Sequence, residues 1–260
     1  MNKHLIIGAS HALYMAQALG NVEADLERAS AGPVPIDAPQ IEDTVSLLLL
    51  SPKTNFLAFE RTAQGLRVQA NQALLDPVRA HDRPESKVML LINGNEHNSR
   101  HMLAHAVPYD FHPPQVAGML PGRQVVPASV MREGVVEMLV HTQLIVSCLA
   151  QMLPRAAKFF IAPPPPIPSA AQIRGQPEVF DFSQREVEHA RVRLKVYELT
   201  LERLGQFCAE AGVTLLPPPA QHRDAEGFLV QPLWHMCTHA LPAYYDAVYA
   251  ALGIHAHASV

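Results

Sequence analysis

Ser10, Asn95 and His239 each sit beside an apolar run, and together they hold the parts that acyl transfer needs. A serine hydroxyl attacks a carbonyl when a base takes its proton, and donors must then meet the anion that forms. Ser10 follows Leu5-Ile6-Ile7-Gly8 and precedes Ala12-Leu13-Tyr14-Met15, which marks a turn from a buried strand into a helix. Alone, a serine in that place is an ordinary helix N-cap. Asn95 follows Val88-Met89-Leu90-Leu91-Ile92, and alone it is a turn residue. His239 lies in Trp234-His235-Met236-Cys237-Thr238-His239-Ala240, just ahead of the last helical pattern. In an open α/β sheet all three would project from the carboxyl edge, where ligands bind and helix N-termini offer N–H groups to an anion.

Other residues invite competing chemistry. His97, His101 and His105 share a face if their segment is helical, a spacing that can bind zinc, but no acid or cysteine pattern accompanies them and Pro108 soon ends any helix. No metal site is expected there. Cys237 lies two residues before His239 in apolar company, which favours a buried, inert thiol. Trp234, Tyr244 and Tyr245 read as packing residues. The run Pro163 to Pro166 reads as a rigid exit from a strand, since proline cannot continue a central ladder.

The elements that must position these residues alternate between strand and helix. Short apolar runs at Leu5–Ile7, Val45–Leu50, 87–92, 158–162 and 213–216 read as buried parallel strands. Helical spacing is strongest from about 128 to 152 and from 183 to 211, with further helices at 12–19, 69–80 and 241–252. Phe56–Phe59 and Leu66–Val68 around Gly65 suit a hairpin, and the proline-rich stretch 20–43 suits a loop. The expected architecture is one doubly wound, flavodoxin-like, mostly parallel sheet with helices on both faces, a single domain over 1–260 with residues 253–260 as a frayed tail.

A net charge of -4 with 17% charged residues provides no basic field for nucleic acid. Three widely spaced cysteines, Cys148, Cys208 and Cys237, make no disulfide framework and suit a reducing compartment. The apolar start is broken by Gly8 and by Ser10-His11, so it lacks the unbroken run of about 7–15 residues of a secretory signal. A cytoplasmic protein acting on neither nucleic acid nor membrane is expected, its oligomeric state open.

The blocks resemble those of the SGNH/GDSL hydrolase superfamily, in the same order. Gly8-Ala9-Ser10 resembles the Gly-Asp-Ser block, Asn93-Gly94-Asn95-Glu96 the Gly-x-Asn-Asp block, and Met236-Cys237-Thr238-His239 the Asp-x-x-His block. The segment Asp224 to Leu229 also resembles what precedes the family's histidine. The resemblance implies that Ser10 is the nucleophile, His239 the general base, and Asn95 an oxyanion donor beside the backbone N–H of Ser10. It implies no cofactor. A family glycine that should add another N–H has only Gly65 as a candidate, which fits the hairpin equally well. Ala9, Asn93, Glu96 and Met236 depart from the blocks, and methionine cannot accept an imidazole N–H as an acid does. Glu96 and Asp224 are the carboxylates that could stand in. The expected activity is removal of acyl groups from a carbohydrate or small-metabolite ester through an acyl-enzyme; the alternative is an impaired relative that binds a ligand or partner in the same pocket.

Overall fold

In the computed structural model, residues 3–20, 26–38, 43–51, 55–63, 65–92, 96–176 and 185–254 are described. The fold is built on β1 (Lys3–Gly8), in which Leu5, Ile6 and Ile7 have no exposed surface. Burying a side chain of that size contributes about 1.5–3 kcal/mol each. Strands β3 (Thr44–Leu49) and β6 (Lys87–Leu91) pair with β1 on either side, both parallel to it. Strands β9 (Ala157–Ile161) and β10 (Thr214–Leu216) extend the sheet beyond β6, and β2 (Val34–Pro35) closes the other edge antiparallel to β3, giving the order β10-β9-β6-β1-β3-β2.

Alternation along β1 divides the core in two. Leu5 and Ile7 face α3 (Gln72–Arg79), α5 (Ala128–Met152) and α7 (Ala190–Glu210), while Ile6 faces α1 (Ser10–Gln17) and α8 (Tyr244–Ala251). Helices therefore cover both faces, as the doubly wound reading requires. By length and composition α5 is apolar enough to cross a membrane. Here Val135, Met138, Leu139, Ile145, Val146 and Leu149 are buried in the core with residues of α7, whereas Val136, Val140 and Leu144 stay exposed.

Three expectations are corrected. The stretch read as loop holds α2 (Leu26–Ala29) and β2, the latter tolerating Pro35 because an edge strand needs fewer ladder donors. The second long helix starts at Ala190, not 183: Val187 pairs as a bridge with Leu103, and the His189 side chain accepts the Arg191 N–H as the cap. The last helix begins at Tyr244, not about 241, and the segment around residue 239 ahead of it forms a hairpin. The hairpin at Gly65 is present as β4 (Leu57–Thr62) and β5 (Gly65–Ala70), a two-stranded sheet of its own, as are β7 (Tyr109–Asp110) and β8 (Gln124–Val125); the short α6 (Ala170–Arg174) follows β9. Residues 255–260 of the expected tail lie outside the described residues.

One ion pair ties a long loop to this frame. Lys195 Nζ on α7 donates to Asp110 Oδ1 at 2.7 Å and to the Phe111 and Gly118 carbonyls at 2.9 and 2.7 Å, and both charged side chains are wholly buried. Burial opposes ionisation of Asp110, but hydrogen bonds from Lys195, Leu120 and Phe111 outweigh it and hold the carboxyl below the usual range.

Candidate active site

Gly8 ends β1 opposite Leu91 of β6. A Cβ there would lie 2.4 Å from the Leu91 carbonyl oxygen and 3.0 Å from the Ala12 Cβ, so only glycine fits between strand and helix. Ala9 then takes the N-cap position of α1 without a side-chain cap bond, and its carbonyl accepts the Ala12 and Leu13 N–H groups. Ser10 is the first helical residue, and its hydroxyl does not cap the helix. The N–H groups of Ser10 and His11 precede the helical ladder and stand where a helix N-terminus meets an anion.

The Ser10 hydroxyl is exposed and meets His239 Nε2 at 2.8 Å. His239 rides on a small hairpin of β11 (Trp234–His235) and β12 (His239–Ala240), with Trp234 opposite Ala240 and His235 opposite His239. The three-residue turn needs a left-handed residue, and Met236 supplies it with φ 51°, an uncommon conformation for a side chain other than glycine. Tyr14 and Gln172 hold that turn: the Tyr14 hydroxyl donates to Met236 Sδ at 3.5 Å, and Gln172 Nε2 donates to the Met236 carbonyl at 3.1 Å.

His239 Nδ1 faces Thr238 Oγ1 at 3.2 Å. If Nε2 accepts the serine proton, Nδ1 carries hydrogen and the threonine oxygen accepts it. A neutral hydroxyl thus occupies the place that an acid takes in a serine triad. Burial pushes His239 down to about 4, with His235 adding a smaller repulsion, so the ring is neutral near pH 7. The His11 ring lies 4.5 Å from that of His239 at 31°, and its Nδ1 meets the Tyr245 hydroxyl at 3.3 Å. Burial, then His239 and His97, hold His11 well below the ordinary histidine range, so it too is neutral.

This fold has solved counterparts. An extracellular lipase from Streptomyces rimosus superposes with a TM-score of 0.51, at 10% identity over 98% of this chain and 100% of the lipase. The periplasmic domain of a lipopolysaccharide acetyltransferase from Salmonella ser. Paratyphi A superposes with a TM-score of 0.49, at 10% identity over 97% of this chain and 82% of that domain. No protein-family profile and no curated protein matches the sequence. At such identity the likeness concerns the fold, and the α/β architecture implied by the SGNH resemblance is the one observed.

The remaining residues named from the sequence are dispersed. Asn95 lies outside the described residues, between β6 and α4 (Glu96–His101). Neither stand-in carboxylate faces His239: Glu96 Oε1 accepts from Thr142 Oγ1 at 3.0 Å, and Asp224 Oδ1 closes its own turn by accepting the Glu226 and Phe228 N–H groups, each at 2.9 Å. Gly65 belongs to the β4–β5 hairpin. The histidine stripe fails because α4 ends at His101, leaving His105 beyond it with Nδ1 beside the Val107 backbone; among the described residues no three ligating side chains gather. His97 is buried against the Tyr197 ring at 5.2 Å, and Cys237 is buried in a cluster with Met102 and Ile173. Tyr14 and Thr238 escape the sequence reading. Tyr14 had a signal, since it lies one helical turn after Ser10 and shares its face; Thr238 had none beyond adjacency to His239.

Proposed function

We propose that the protein is a serine-dependent acyl-ester hydrolase or acyl transferase, with Ser10 as nucleophile and His239 as general base. The observation that carries this reading is the 2.8 Å contact between Ser10 Oγ and His239 Nε2 at the carboxyl edge of the sheet. His239 Nε2 takes the hydroxyl proton as Oγ attacks the ester carbonyl carbon. The N–H groups at the start of α1 meet the resulting oxyanion, and Asn95, on the strength of the SGNH resemblance, adds a side-chain donor. The imidazolium then returns its proton to the leaving alcohol, and water or a second alcohol takes the acyl group from Ser10 by the reverse path. Thr238 acts through His239, accepting from Nδ1 to hold the tautomer. The lipase from Streptomyces rimosus supports the reading as a case of ester chemistry on this fold. The substrate we favour is an ester of a carbohydrate or small metabolite, and cytoplasmic location remains part of the proposal.

A second reading is a ligand-binding relative with impaired catalysis. It is favoured by the depressed basicity of His239 and by the hydroxyl, in place of a carboxylate, at Nδ1. The two separate by turnover of p-nitrophenyl acetate and by labelling with a fluorophosphonate. Turnover and labelling that both vanish in Ser10→Ala and fall by orders of magnitude in His239→Ala support the enzyme. Equal rates in all three proteins, with no labelling, support the binder.

A further inference from the structure

A cavity of about 420 Å³ opens between the end of α4, the segment after it and the start of α5. Among the described residues, no hydrogen bond or ring contact joins its lining to Ser10 or His239. Its size falls within the range of about 300–1,000 Å³ common to small-molecule sites. Its apolar lining comes from Leu103, Val107, Val126 and Met131. The polar lining includes Arg100, Arg185, His101 and His105 and, among the described residues, holds no carboxylate. That is a strong bias in a chain where 24 acids outnumber 20 lysines and arginines.

The walls are held in place without a ligand. Arg185 Nε and Nη2 donate to the Ala104 carbonyl at 3.0 and 2.8 Å, and the backbone of this stretch pairs with the segment before α7 through Ala104 N to Glu186 O and Glu188 N to Met102 O, both 2.8 Å. His101 Nδ1 meets the Tyr109 hydroxyl at 2.8 Å. Arg100 is exposed, and among the described residues no carboxylate pairs with it. A preformed apolar lining beside guanidinium groups that no described carboxylate pairs with suits a ligand with the opposite charge and a hydrocarbon body.

We propose that this cavity binds a small organic anion, its carboxylate or phosphate met by Arg100 and Arg185 and its apolar body lying along Leu103, Val107, Val126 and Met131. The site does not depend on chemistry at Ser10. Calorimetric titration of the full chain with octanoate, octyl phosphate and octanol tests it. Both anions should bind in the micromolar to millimolar range and octanol at least tenfold more weakly, with the better anion showing which head group the site takes. Arg100→Ala, at an exposed position that leaves the fold intact by circular dichroism, should weaken anion binding at least fivefold, Arg100→Lys less, and Ser10→Ala not at all. Octanol binding as tightly as octanoate, an Arg100→Ala protein that binds unchanged, loss of binding in Ser10→Ala, or no binding by either anion would each overturn the proposal.

Discussion

Replacing Thr238 by valine keeps the shape of the side chain and removes the oxygen that faces His239 Nδ1 at 3.2 Å. That distance is at the long end for an N–H to oxygen bond, so its net contribution belongs in the lower part of the usual range, about 0.5–1 kcal/mol. At about 1.4 kcal/mol per tenfold in rate, the loss is roughly two- to fivefold in kcat. A triad that keeps its geometry but holds the wrong tautomer loses about 10⁴ on another fold; the smaller figure here follows from a neutral acceptor in place of a buried carboxylate. The assay is initial-rate hydrolysis of p-nitrophenyl acetate at pH 7.5 or so, with KM and kcat separated. Thr238→Val should lower kcat and leave KM alone, and Thr238→Ser, which restores the oxygen, should recover most of the rate. If Thr238→Val turns over as fast as the native chain, or if serine fails to rescue it, Thr238 does not set the tautomer of His239.

The acid limb of kcat/KM should lie near pH 4, where burial and then His235 hold His239, instead of near the 6.5 of a free imidazole; a limb above pH 6 would contradict the buried base. The same shift makes the fold bind fewer protons than the unfolded chain between pH 6.5 and 4, so the stability linked to His239 is complete above 6.5 and is lost as the pH falls towards 4. Rates at low pH therefore need short times. Lys195→Met leaves Asp110 charged and buried without its partner, and should cost about 3–5 kcal/mol in urea unfolding; a loss below 1 kcal/mol or so would mean the pair is not buried as described. Gly8→Ala forces a methyl against the Leu91 carbonyl and should destabilise by about 1–3 kcal/mol while lowering esterase activity, read by thermal melting and by rate.

The sheet is legible because β1 and β6, and the end of β9 at Phe160 and Ile161, are buried on both faces and so read as continuous apolar runs, Leu5-Ile6-Ile7 most clearly. The order of blocks along the chain also pointed to Ser10 and His239, since strand ends in a parallel sheet share one edge. The hairpin that carries His239 is not legible: strands of two residues have no period, and His235 and His239, four apart, are cross-strand partners that no spacing rule picks out. The start of α7 is not legible either, because Val187 continues the apolar spacing of the helix yet pairs with Leu103, a contact set by tertiary structure. Residues 93–95 lie outside the described residues, so the place of Asn95 rests on sequence alone.

Ser10 and His239 are anchored very differently. The serine grows out of the central strand, whose opening requires the whole core to come apart, whereas the histidine rides on two paired residues per strand and a turn pinned by Tyr14 and Gln172. Segments of that kind open at far lower free energy than the global transition. On heating, turnover should therefore fall before the sheet melts, because the contact fails first at the hairpin; a rate lost only with global melting would mean that the hairpin, with Cys237 and Ala240 buried, opens only with the core.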